Sequence, residues 1–107
     1  MANPWSGEVE LKLDGEPHTL KLTLGALAEL EASMKADSLV ELVERFEERR
    51  FSTRDVLALI VAGLRGGGWR GAAEDLVSVE IEGGPVEAAR AAGLLLAHAF
   101  SAPTVEG

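Results

Sequence analysis

The chain has 107 residues, no cysteine and no tyrosine, and a formal charge of -8 from ten Lys plus Arg against eighteen Asp plus Glu. That length makes one domain with a core of its own; the missing cysteines exclude a disulfide framework, and the negative field argues against nucleic acid and anionic lipid as partners. No apolar run reaches the roughly 20 residues of a membrane span, and MANPWSGEVE lacks the basic-then-apolar order of a secretory leader, so a cytoplasmic protein is expected.

Val9, Leu11 and Leu13 alternate with Glu8, Glu10 and Lys12, and Leu20 and Leu22 alternate with Thr19, Lys21 and Thr23. Period two on both sides of DGEP predicts a β-hairpin. A two-residue Asp14-Gly15 turn would pair Leu11 with His18 and put Pro17, which has no N–H, into the ladder. A four-residue loop from Asp14 to Pro17 is expected instead. It sets Leu11 opposite Leu20, Val9 opposite Leu22 and Glu10 opposite Lys21, one face apolar and the other a complementary charge pair.

Thr23 can cap a first helix running to about Lys35, with Leu24, Leu27, Leu30 and Met34 on its inner side. A second helix is expected from Ser38, where Glu41 completes a capping box, burying Leu39, Leu42, Val43 and Phe46 and leaving Glu44, Arg45, Glu47, Glu48 and Arg49 in water. The central helix follows Phe51. Ser52 and Asp55 form a second capping box, Phe51 can staple onto Val56, and no polar side chain occurs from Val56 to Leu64. A helix apolar nearly all round belongs in the interior. Ala58, Ala62 and Gly63 thin one side of it for close packing, and Gly66 to Gly68 let the chain leave the helix.

From Ala72 to Ile81 a weaker helix is expected, with a strand as second choice because Val77, Val79 and Ile81 are β-branched. Pro85 suits the start of the last helix, which runs to about Phe100. Its inner side is assigned to Val86, Ala89, Ala92, Leu96 and Phe100, and its outer side to Glu87, Arg90, Ala91, Leu94 and His98. The fold expected is α+β, mostly α: an N-terminal β-hairpin followed by about five helices in one domain over 1–107, ordered from about 5 to 100 with a mobile tail over 101–107.

Little in the chain points to catalysis. His18 and His98 have no His, Asp or Glu at i+3 or i+4 to build a metal-ligand spacing. Ser38 and Ser52 are explained by capping, and the triple glycine closes a helix without a following Lys-Ser or Lys-Thr, so it is no phosphate cradle. No catalytic residue, metal or cofactor is expected. Trp5 and Trp69 stand out in a chain this poor in aromatics, either as lids on the core or as anchors for a partner. A second contact surface is assigned to the last helix, where Ala91 and Leu94 sit between Glu87 and Arg90 on the side assigned to solvent.

The runs WSGEVELKLDGEPHTLKLTLGALAELE, RFSTRDVLALIVAGLRGGGW and IEGGPVEAARAAGLLLAHAF together resemble the small tail proteins of phage-like gene transfer agents, a family grouped with phage tail assembly chaperones. The marks are the hairpin leading into LGALAELE, the AGLRGGGW helix end and the EGGP start of the last helix. The resemblance covers about Trp5 to Phe100 and implies a non-enzymatic assembly chaperone in the bacterial cytoplasm. As such it would bind the tape measure protein and help recruit the tail tube protein. A structural tail tube component is the alternative carried by the same family. A small regulatory or binding module unrelated to phage is a third reading, needing an apolar pocket with convergent polar groups.

Overall fold

The computed structural model describes residues 7–34 and 39–100. Its hairpin, β1 (Val9–Leu13) and β2 (Glu16–Leu20), turns on two residues only, with Leu13 opposite Glu16, Leu11 opposite His18 and Val9 opposite Leu20. Asp14 and Gly15 hold φ values of 52° and 83°, the two left-handed positions that a type I′ turn demands and that Asp-Gly favours. The expected four-residue loop, with its Leu11–Leu20, Val9–Leu22 and Glu10–Lys21 pairs, is therefore wrong. Pro17 was the reason for it, and Pro17 costs the ladder nothing. Hydrogen-bonded pairs alternate with open ones along an antiparallel ladder, and Pro17 faces Lys12, whose carbonyl points the other way and accepts from Glu82 N–H at 3.1 Å.

That outer edge of β1 carries a second correction. The segment expected as a weak helix forms only one 3-10 turn, Ala73–Leu76, after which the chain straightens and bridges Leu13 through Ile81 in the antiparallel sense. Asp14 N–H donates to Glu80 O at 2.8 Å, and Glu80 N–H donates to the Asp14 carboxylate at 2.9 Å. Residues 79–81 run to this single bridge without forming a strand, and Glu82 is already in the turn into the last helix, so neither the expected helix nor the second-choice strand is made in full. Val77, Val79 and Ile81 alternate with Ser78, Glu80 and Glu82, a period-two pattern that outweighs the helix propensity of the alanines before it.

Among the described residues there are four α-helices: α1 (Leu24–Met34), α2 (Leu39–Glu47), α3 (Thr53–Gly66) and α4 (Gly84–Phe100). Thr23 caps α1, its hydroxyl accepting from Ala26 N–H at 3.1 Å. The inner side of α1 is Ala26 and Leu30 with Leu27 and Met34 packed beside them, while Leu24, assigned to that side, is exposed. On α2, Leu42 is buried and Leu39, Val43 and Phe46 lean on the core, as their spacing predicts. Ser38, the expected cap of α2, lies outside the described residues, as do Trp5 and the tail 101–107.

The expected capping box of α3 is present, with Ser52 Oγ accepting from Asp55 N–H at 3.1 Å and Asp55 accepting from Ser52 N–H at 2.9 Å. Arg45, assigned to the wet face of α2, reaches the same carboxylate in a bidentate pair at 3.0 Å. Partial burial pushes the Asp55 carboxyl up, but the hydrogen bonds from Arg45 and the Ser52 backbone outweigh it and hold the group below its ordinary value. Phe51 stacks on Phe46 with ring centroids 4.3 Å apart. The same junction is thus closed by a charge pair and a ring pair.

The centre of the molecule is α3, which packs against α1, α4 and β2 at once, while α4 covers β1. Its C-terminal half approaches β2 backbone to backbone. Lys21 N–H donates to Gly63 O at 2.9 Å, and a Cβ on Gly66 or Gly67 would stand 1.9 Å from Lys21 O or 2.0 Å from Thr19 O. The thin side expected from Ala62 and Gly63 is real. The following glycines do more than release the helix, since only hydrogen fits where Gly66 and Gly67 meet the strand.

Candidate protein-docking site

The N-terminal half of α3 is packed quite differently. Leu59, Ile60 and Leu64 are buried, but Val56, Leu57, Ala58 and Val61 are each left partly exposed. The expectation that α3 is enclosed on every side therefore holds for Ala62, Gly63 and Leu64 and fails for its first two turns and for Val61. Beside them opens a cleft of about 650 Å³. Its floor is Val56, Leu57 and Ile60 of α3, its far wall is Leu76, Val79 and Ile81, and its end is Pro85, Ala88 and Ala89 of α4.

The polar groups lining it are few. Ser52 and Thr53 come from the start of α3 and Glu80 from the far wall, and the Ser52 hydroxyl already accepts from the α3 backbone. A pocket that selects a small polar molecule needs several convergent donors and acceptors. This one offers apolar area instead. Nearby in the chain, Val77 and Val86 are each 80% exposed, which enlarges the apolar surface around the two ends of the wall.

The residues singled out from the sequence are brought together only in part. Glu87 and Arg90 pair on the exposed side of α4, at 2.9 Å between Arg90 Nε and Glu87 Oε1. Hydrogen bonding from Arg90 lowers the Glu87 pKa, and the same contact raises that of Arg90. Ala91, however, is fully buried and Leu94 is half-buried against the core. The helix is turned by about a quarter of a revolution from the phase expected. Its inner stripe is Ala88, Ala91, Ala92, Leu95 and Leu96, and Val86 and Phe100, expected inside, are exposed.

The reason is steric. A Cβ on Gly63 would meet Leu95 at 2.7 Å, so α4 lies close on α3 and turns its alanines toward the contact. The i, i+3, i+4, i+7, i+8 spacing of that stripe was available in the sequence, but the opposite side is apolar too, and the larger Val86 and Phe100 favour the wrong one. Trp69 is half-buried against the core and over Gly71, where a Cβ would fall 2.1 Å from its ring. Its surroundings are those of a lid on its own chain. Sequence reasoning missed the cleft because α3 and the segment 76–89 that faces it are separated in the chain and only packing sets one against the other.

Among the described residues, no group of three or more His, Asp or Glu is placed to hold a metal ion, and no helix is long and apolar enough to cross a membrane. No curated protein and no solved structure gives a match to the chain. A family profile described as phage tail tube protein, GTA-gp10, matches residues 6–102, a span that takes in every element from β1 to α4, and the chain therefore belongs to that family of phage and gene transfer agent tail proteins.

Proposed function

We propose that the chain is a structural component of the tail tube of a phage-like gene transfer agent, acting through protein–protein contact and without chemistry of its own. The observation that carries this reading is the family match over residues 6–102. The sparse polar lining of the cleft is in keeping with it, since an apolar surface of that kind serves contact better than catalysis. On this reading the chain assembles in the cytoplasm of the producing bacterium, with the tail tube subunit and the tape measure protein as neighbours and with neither nucleic acid nor membrane as partner. Its charge of -8 is in keeping with that last point.

A second reading, a transient assembly chaperone that keeps the tape measure protein soluble and then leaves, has one observation in its favour. The sheet among the described residues is two-stranded with a single extra bridge, whereas a tube built as a ring of sheets calls for a β-rich subunit, an argument from analogy. Quantitative mass spectrometry of purified particles separates the two. A tube component is expected at the copy number of the tube rings. Absence from particles, together with a raised soluble yield of the tape measure on co-expression, overturns the tube reading in favour of the chaperone.

A further inference from the structure

The apolar cleft beside α3 has walls that restrict what can fill it. The outer wall, residues 71–84, carries Glu74, Asp75, Glu80 and Glu82 and no Lys or Arg, and all four carboxylates are exposed. Glu80 lines the cleft and Glu74 and Asp75 immediately precede Leu76 of its wall, whereas Glu82 lies with Lys12 and Glu87 in a separate groove, and Arg90 is engaged by Glu87. Arg54 lies on the other flank of Leu57, with Ala58 and Val61. The mouth of the cleft is therefore apolar with an acidic rim on one side.

The backbone of the wall is already committed. Glu80 bonds to Asp14 and Glu82 to Lys12 of β1, Val79 N–H donates to Leu76 O at 3.3 Å, and Gly84 N–H donates to Ile81 O at 2.8 Å. Of residues 79–81, on the side away from β1 only Val79 C=O and Ile81 N–H are left without a backbone bond, too short a run for an added strand to extend. An occupant must bring a backbone satisfied within itself, which means a helix presenting side chains at i, i+3, i+4 and i+7. A second copy of this chain would bring another charge of -8 to an acidic rim.

We propose that this cleft docks an amphipathic helix of a different tail protein, with its apolar stripe on Leu57, Leu76, Val79 and Ala89 and flanking Lys or Arg side chains against the carboxylates of residues 74–80. The proposal rests on the reading of the chain as a tail protein that works by contact, and it adds the surface and the chemistry of the partner. Rim charges of this kind set the partner's orientation and its salt dependence, while the buried apolar contacts hold it.

Three labelled synthetic helices of about 18 residues, five turns, test this on the full chain by fluorescence polarisation: one of Leu and Lys, one of Leu and Glu in the same pattern, and one of Ser and Lys with the same charge. The Leu–Lys peptide is expected to bind at least about tenfold tighter than either of the others. Val79→Asp is expected to remove that binding, and Val40→Asp, at an exposed position on α2, to leave it intact. Amide shift mapping on the unaltered chain supplies a readout independent of whether Val79→Asp folds, with changes expected around Leu57, Leu76 and Ala89. Equal binding of all three peptides, or shifts centred elsewhere, overturns the proposal. So does a dimer in sedimentation that Val79→Asp dissociates, since the occupant is then a second copy. Copy number in particles is measured without any peptide, so the tube reading can fail while the docking result stands, and the reverse.

Discussion

The two ends of α3 differ in how a helix with one continuous apolar sequence is used. At its C-terminal end, glycines bring the helix backbone against β2, close enough for Lys21 N–H to bond to a carbonyl of the helix. At its N-terminal end, the more hydrophobic valine and leucine side chains face a cleft and stay partly exposed. Hydrophobicity alone does not account for this difference. Side-chain volume does, because the chain can close only where there is no Cβ in the way.

The sharpest way to break the contrast is to add one carbon at the closed end. Gly66→Ala is expected to destabilise the fold by about 3 kcal/mol or more in denaturant melts, because the new Cβ would lie 1.9 Å from the Lys21 carbonyl and only backbone movement can relieve it. A loss under about 1 kcal/mol would mean that helix and strand separate easily.

The next comparison sets two leucines of α3 against each other. Leu59 is fully buried, and Leu59→Ala is expected to cost about 3 kcal/mol. Leu57 lines the cleft and keeps part of its surface in water, so Leu57→Ala should cost about 1 kcal/mol. Equal costs would show that the cleft is closed in solution.

The N-terminal end of α3 depends on polar contacts where packing is incomplete. Asp55→Asn weakens both the capping box and the pair with Arg45, and a loss of about 1 to 2 kcal/mol at neutral pH is expected. Because the folded-state pKa of Asp55 is lowered, its stabilising contribution is present above the ordinary carboxylate value and is lost as the pH falls through the folded value. The gap between wild type and Asp55→Asn should therefore narrow on acidification below about pH 4. A gap that widens in acid would contradict the assignment.

The smallest effect has the opposite sign. Arg49 ends α2 with φ at 59°, while Arg49 N–H bonds to Phe46 O and Arg50 N–H to Arg45 O, the pattern of a Schellman cap. Glycine is the residue that adopts this conformation without penalty. Arg49→Gly is expected to stabilise by about 0.5 to 1 kcal/mol, read as a raised melting temperature.

Local chemistry determined much of this protein before any packing is considered. The Thr23 cap, the Ser52–Asp55 box, the apolar run of α3 and the Gly-Gly-Pro start of α4 are each set by residues within a few positions of one another, so the elements they delimit are readable from the chain alone. The Asp-Gly turn was equally local. Pro17 does not oppose it, because Pro17 stands at a ladder position where no hydrogen bond is made. The family marks, being runs of contiguous residues, were legible for the same reason.

Tertiary structure decided what depends on residues distant in sequence. The phase of α4 follows from Gly63 admitting Leu95, the bridge of Ile81 to Leu13 follows from the free outer edge of β1, and Arg45 is drawn from the solvent toward the carboxylate that Asp55 presents to it. The cleft belongs to this class as well, since α3, residues 76–81 and the start of α4 form it together and none of them encodes it alone. Capping and turn preferences act over three or four residues, whereas steric fit between elements is defined only once the elements meet.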